Sequence, residues 1–207
     1  MITLYDYWRS SAAYRVRIGL HLLGLGFHSV PVDLAQGAQL AAANRARNPQ
    51  GLVPTLEIDG ISLTQSLAIL EYLHETRGGL LPEGPQARAR ARALAYAIAM
   101  EIAPVCNLSV RNHVAQASGG IITAEAWQSH HIHRGLAAFE AMLNHPATGQ
   151  YCLGDAVTLP DLCLVPQVYN AERLGIDVTS YPRIARCVAN LRALPAFIAA
   201  HPDHAKP

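Results

Sequence analysis

Residues 2–8, ITLYDYW, run almost directly into residues 10–20, SSAAYRVRIGL, and the corner between them decides the fold. The first stretch, rich in β-branched and aromatic side chains, reads as a strand. In the second, apolar residues recur from Ala13 through Val16 and Leu20 to Leu23, the spacing of an amphipathic helix. Two hydroxyls, Ser10 and Ser11, stand at the turn. Unpaired N–H groups and the macrodipole at a helix start favour negative charge, so such a corner suits an anion or a thiolate. For a lone serine pair, a plain N-cap is the simpler account. The stretch holds no cysteine, no GxGxxG and no GKS, so it brings neither a thiol nucleophile nor a phosphate-binding loop of its own.

Working outward, FHSVPVDL (27–34) alternates Val30, Val32 and Leu34 and reads as a second strand. VPTLEIDGISLT (53–64) is two short strands around Asp59-Gly60, a strong hairpin signal. SLAILEYLHETRG (66–78) is a helix closed by Gly78-Gly79. The order is β-α-β, an irregular or helical stretch, then β-β-α. After LLPEGP (80–85) no alternation returns, and residues 86–200 read as helices with a break at Ser118-Gly119-Gly120. One start among them is well marked: Thr158 to Asp161, TLPD, is a capping box. The expected architecture is an α/β domain over 1–81 followed by an all-helical domain over 86–207.

Composition narrows the partners. The 207 residues carry 16 Lys+Arg against 15 Asp+Glu, a net charge of +1, which gives no electrostatic footprint for nucleic acid. Hydrophobic residues make up 51%, ample for a core, yet no apolar run approaches a membrane span. The N-terminus lacks a charged region followed by an apolar one, so no signal peptide is expected. Cys106, Cys152, Cys163 and Cys187 show no CxxC spacing, which argues against a metal framework and suits a reducing cytoplasm. His130, His131 and His133 could suggest a metal, but no ordered set of acid or cysteine ligands lies near them in sequence, and a solvated helix face is the simpler reading.

Two further motifs join the serine corner. LVPT (52–55) puts Pro54 before a strand, where a missing N–H is tolerated; an X-Pro bond there can be cis, and an ordinary strand-start proline is an equal account of the motif alone. TQS (64–66) sets Gln65 and Ser66 at another helix start, a second place for an anion or a simple cap. Each signal is weak alone, but their order is specific. Helix-start hydroxyls, then NPQGLVPTL (48–56), then LTQSLAILEYL (63–73), then a helical domain, resembles a cytosolic glutathione transferase with a thioredoxin-like first domain. More narrowly, SSAAYRVRIGL, NPQGLVPTL, IAPVCNLSV (102–110) and DLCLVPQVYNAERL (161–174) resemble the zeta class, the maleylacetoacetate isomerases. The resemblance covers almost the whole chain. Ala12 departs from it, standing where the family usually has cysteine, and so do Ala103 and Cys106, where glutamine is frequent.

The resemblance implies a borrowed nucleophile, the cysteine sulfur of glutathione. Ser10 would donate to that thiolate, with Ser11 second. Val53, before Pro54, would pair its backbone with the cysteinyl unit, and the Val53–Pro54 bond should be cis to turn the loop towards it. Gln65 and Ser66 would hold the γ-glutamyl carboxylate, and Asn107 and Ser109 would add contacts from the helical domain. Cationic partners for an enolate and for substrate carboxylates would be Arg9 and Arg173, with Arg111 and Arg15 weaker candidates. The implied reaction is glutathione-dependent cis–trans isomerisation of maleylacetoacetate to fumarylacetoacetate in aromatic amino-acid catabolism. Maleylpyruvate isomerisation in gentisate breakdown, or conjugation and dehalogenation of small α-haloacids, are alternatives on the same thiolate. A non-catalytic binding module is a further one. The resemblance also implies a cytoplasmic homodimer.

Overall fold

The structure, a computed structural model, describes residues 1–206 and divides the chain into two units. The first contains Met1–Leu80 and the segment from Ala193 onward, and the second is Leu81–Arg192.

The first unit opens with β1 (Thr3–Asp6), α1 (Ser11–Leu22), β2 (His28–Pro31) and the short α2 (Ala42–Arg47). The hairpin β3 (Thr55–Ile58) and β4 (Ile61–Thr64) then leads into α3 (Ser66–Arg77). The four strands form one sheet in the order β2-β1-β3-β4. β1 runs parallel to β2 and antiparallel to β3, while β3 and β4 are antiparallel neighbours. The βαβ–ββα order matches the sequence pattern, and the mixed sheet is that of the thioredoxin-like domain the resemblance implies. The hairpin turns at Asp59 (φ 52°) and Gly60 (φ 80°), two consecutive left-handed residues as a type I′ turn demands. Along β1, Leu4 and Asp6 are buried while Thr3 and Tyr5 are half-buried, the period of two expected of a strand.

The second unit is helical. It contains α4 (Pro85–Ala99), α5 (Leu108–Ala117), α6 (Ala124–Met142), α7 (Leu159–Arg173) and α8 (Pro182–Arg192). Its core is made where α4 and α6 pack together, α4 meets α7, and α7 meets α8. Leu94, Ile98, Leu136, Phe139, Leu162 and Val165 are completely buried there. Gly135 sits inside α6 because a Cβ at that point would run into the side chain of Ile102. The capping box at the start of α7 forms as the sequence predicts. Asp161, with no exposed surface, accepts from the Thr158 N–H at 2.8 Å and from the Cys152 N–H at 2.9 Å. No helix among the described residues is long and apolar enough to cross a membrane.

The end of the chain departs from the expected division. The sequence places all of 86–207 in the helical domain, whereas α9 (Pro195–Ala199) and α10 (Pro202–Ala205) belong with the first unit. The reason lies in α1, which is buried without a break from Ala13 to Leu20 and so needs cover on more than one side. α3 supplies part of that cover and α9 another part. Arg17 Nε donates to the Ala200 carbonyl at 3.1 Å, and the rings of Tyr14 and His201 meet edge to face at 6.3 Å. The Arg17 guanidinium also holds Asp6 through both carboxylate oxygens, at 2.8 and 2.6 Å, and the Trp8 carbonyl at 2.9 Å. This buried cation ties β1, α1 and the returning segment together.

Candidate active site

Three segments of the first unit carry the predicted site residues, and the sheet brings their ends together. Ser10 caps α1, its hydroxyl oxygen accepting the Ala13 N–H at 3.2 Å. A serine hydroxyl has one proton to give as well as lone pairs to receive, so the cap leaves the Ser10 O–H proton for an acceptor outside the helix. Ser11 is the first residue of α1. Arg9 lies just before them, donating to the Tyr7 hydroxyl at 3.0 Å with its guanidinium 4.6 Å from the centre of the Trp8 ring.

The Val53–Pro54 peptide is cis, as the resemblance implies. β3 pairs with β1 in a register that sets Thr55 opposite Tyr5, so the next step of the ladder places Pro54 at the end of β1 from which the chain turns towards Ser10. The loop before Pro54 is braced from inside by Asn48, a residue the sequence reading did not single out. Asn48 is 2% exposed, donates to the Leu52 carbonyl at 3.1 Å and accepts the Gln50 N–H at 3.1 Å. Its signal was the NPQG run itself, in which an asparagine before a proline and a glycine favours a side-chain-closed turn.

Gln65 stands at the start of α3 with φ 67° and ψ 112°. A non-glycine residue held there stores roughly 1–3 kcal/mol of strain, a feature that gathers at ligand sites. Its side chain does not cap the helix. Instead Gln65 Nε2 donates to Gln50 Oε1 at 2.7 Å, joining the loop before Pro54 to the start of α3. Ser66, the first residue of α3, is 5% exposed, and its hydroxyl accepts from Arg15 Nη1 at 3.3 Å. Arg15 itself is 3% exposed. This corrects its place among the substrate-carboxylate candidates: it lies inside the unit behind Ser66, because α1 is buried throughout its middle.

In the helical unit the predicted residues sit at two places. Asn107 caps α5 and accepts both the N–H and the hydroxyl of Ser109 at 3.2 Å. Arg111, one turn on, donates to Gln128 Oε1 at 2.6 Å, and Gln128 Nε2 returns to the Cys106 carbonyl at 3.1 Å. Arg173 is exposed at the end of α7, its guanidinium 5.8 Å from the centre of the Tyr169 ring. Burial pushes the Cys106 thiol up to about 11, so it is a thiol and not a thiolate near neutrality. The histidine run is spread over local contacts, His131 against Trp127 at 4.3 Å between ring centres and His133 Nδ1 3.1 Å from the Tyr181 hydroxyl.

The arrangement in the first unit suits a thiol ligand. A capped helix start with a hydroxyl proton to give lowers the cost of a thiolate. The second helix start, which no side chain caps, offers N–H groups to a carboxylate.

Comparison with known proteins agrees with this geometry. Residues 1–75 match the family model for the glutathione S-transferase N-terminal domain. Maleylacetoacetate isomerase of Rhizobium meliloti (strain 1021) is 56% identical over 207 residues, covering 99% of this chain and 97% of that protein. A holo maleylpyruvate isomerase, a bacterial zeta-class glutathione S-transferase, superposes with a TM-score of 0.94 at 38% identity, covering 98% of this chain and 97% of the other. Maleylacetoacetate isomerase from Methylobacterium extorquens AM1, with malonate and GSH bound, gives a TM-score of 0.93 at 42% identity over 99% and 98% of the two chains.

Proposed function

From the premise that this chain belongs to the zeta-class glutathione transferases, in the maleylacetoacetate isomerase family, we infer that it is a glutathione-dependent cis–trans isomerase of maleylacetoacetate, yielding fumarylacetoacetate in aromatic amino-acid catabolism. The observation that carries this reading is the 56% identity across nearly the full length of both chains. The cis Val53–Pro54 bond, the Ser10 cap and the strained Gln65 support it. Glutathione, when bound, supplies the nucleophilic sulfur that adds to the conjugated double bond and leaves again after rotation about it.

The chain's own residues prepare that chemistry. Ser10 gives its proton to the sulfur while α1 holds the oxygen, so the hydroxyl cannot turn away without losing its bond to Ala13. A free thiol with a pKa near about 8.5 is mostly protonated at neutral pH, and both the hydroxyl and the helix start move it towards the thiolate. Ser11 is the alternative to Ser10 in this role. Val53 presents its backbone to the cysteinyl unit, while Gln65 and Ser66 take the γ-glutamyl carboxylate. Asn107 and Ser109 contribute from the helical unit. Arg9, Arg111 and Arg173 serve the substrate's carboxylates and developing enolate, where a planar fork can bind bidentately. Of these, Arg173 is the catalytic candidate in the most family-specific segment. The protein acts in the cytoplasm as a homodimer, and a monomeric mass by light scattering at micromolar concentration would reject that assembly.

The purified protein, supplied with glutathione and either maleylacetoacetate or maleylpyruvate, should isomerise the first with the larger kcat/KM and neither without glutathione. A preference for maleylpyruvate would move the assignment to the alternative that the holo maleylpyruvate isomerase exemplifies. Conjugate accumulation without isomerised product would favour the haloacid-type transferase. Absence of glutathione-dependent turnover would leave a binding module.

A further inference from the structure

The two arginines of the Arg15-Val16-Arg17 run are both buried, and they do different things. Residues two apart on a helix do not face each other. Arg17 is spent on structure, gripping Asp6 and the carbonyls of Trp8 and Ala200. Arg15 reaches across to the start of α3 and donates to the Ser66 hydroxyl.

That contact fixes the direction of a second hydrogen bond. A guanidinium has only donors, and a serine hydroxyl has one proton besides its lone pairs. With the oxygen of Ser66 receiving from Arg15, the hydroxyl proton is left to seek an acceptor. It sits at the N-terminus of α3, where N–H groups and the macrodipole stabilise an anion. The guanidinium stays charged at any ordinary pH, and at 3% exposure little water screens it. We propose that Arg15 is a positioning residue for the γ-glutamyl carboxylate of glutathione, acting through Ser66. It holds that hydroxyl as a donor and adds its own positive potential to the helix start. The inference rests on the reading above in which Ser66 takes this carboxylate. It reaches further, to a residue that need not touch the ligand.

Calorimetric binding of two ligands tests it: glutathione, and γ-aminobutyryl-cysteinyl-glycine, which lacks only the carboxylate in question. Arg15→Met should weaken glutathione binding about tenfold or more, the order of one charge-assisted hydrogen bond. The same variant should bind the analogue within about twofold of wild type. Arg15→Lys, which keeps the charge but loses the fork, should fall between, and it serves as the test variant if the methionine form does not fold. In a Ser66→Ala background, Arg15→Met should cost at least about threefold less than in wild type, since the hydroxyl it works through is gone and only its potential remains. Equal losses for both ligands, or full additivity in the double variant, would overturn the proposal and leave Arg15 a structural residue. A wild-type protein that binds glutathione no better than the analogue would instead remove the carboxylate subsite, and the functional reading would fail first.

Discussion

Replacing Ser10 with alanine separates the two duties of one hydroxyl. As the cap of α1, it accepts the Ala13 N–H at 3.2 Å, and losing a serine cap costs about 1 kcal/mol of stability. As the proposed donor to the ligand sulfur, it contributes a bond to a charged group, about 1.5–3 kcal/mol. At about 1.4 kcal/mol per pKa unit, that loss raises the bound thiol by roughly one to two units. At neutral pH the thiolate fraction, and turnover with it, should fall about 10- to 100-fold. The affinity for glutathione should stay within a few-fold, because Val53, Gln65 and Ser66 are untouched. The bound thiolate is followed by its ultraviolet absorbance as a function of pH, kcat and KM by steady-state assay, and stability by urea unfolding. Ser10→Thr keeps both the cap and the donor and should restore most of the loss, whereas Ser11→Ala should be milder than Ser10→Ala. A fall in turnover with an unshifted bound thiol would refute the mechanism, and the reverse ranking of the two serines would move the role one residue along.

Three other expectations concern separate parts of the molecule. Asp161→Asn keeps the shape but turns an N–H₂ towards the buried N–H of Cys152 or of Thr158; urea unfolding should show a loss of about 2–4 kcal/mol, one buried unmade bond plus a cap, and a loss under about 1 kcal/mol would contradict the hub role. The Tyr72 hydroxyl and the Arg77 guanidinium hold the Asp59 carboxyl below the usual carboxylate range, so its contribution to stability is complete above about pH 4, its unfolded value. That contribution is lost as pH falls through the lower folded value, and Asp59→Asn should flatten this acid limb when urea midpoints are compared from neutral to strongly acid pH. Ala12→Cys should leave isomerisation within a few-fold but make the protein sensitive to alkylating reagents, since a thiol beside the start of α1 ionises readily while Cys106, pushed up to about 11, stays inert; a large gain in rate would instead give that cysteine a part in the mechanism.

What could be read from the chain alone was whatever its immediate neighbours determine. Asp59-Gly60 announces its hairpin because few residues accept two left-handed positions in a row. The capping box at Thr158 and Asp161 closes within one turn. Ser10, the cis Pro54 and the Gln65-Ser66 start were legible in the same way, as local features whose order along the chain fits one family. Contacts that close over long separations were not. Nothing near Arg17 names Asp6 or Ala200 as its partners, and helical periodicity tells which side of α9 is apolar without telling which unit it covers. Arg15 was misplaced for the same reason. An arginine on a helix reads as a surface charge or an anion site, and only the packing of α1 against α3 shows that it ends 51 residues away on a serine.

The return of α9 and α10 to the first unit makes the helical unit an insertion rather than an appendage. On the ribosome the sheet and α3 emerge first, but Arg17 waits for the Ala200 carbonyl, and Tyr14 for the ring of His201, until the whole of Leu81–Arg192 has been made. At about 5–20 residues per second, that interval lasts seconds, long compared with the formation of the helices and hairpin already made. Throughout that interval α1, which carries Ser10 at its start and Arg15 in its middle, stays uncovered along the side that α9 will take. The unit translated first cannot close until the segment that follows the helical unit has been made.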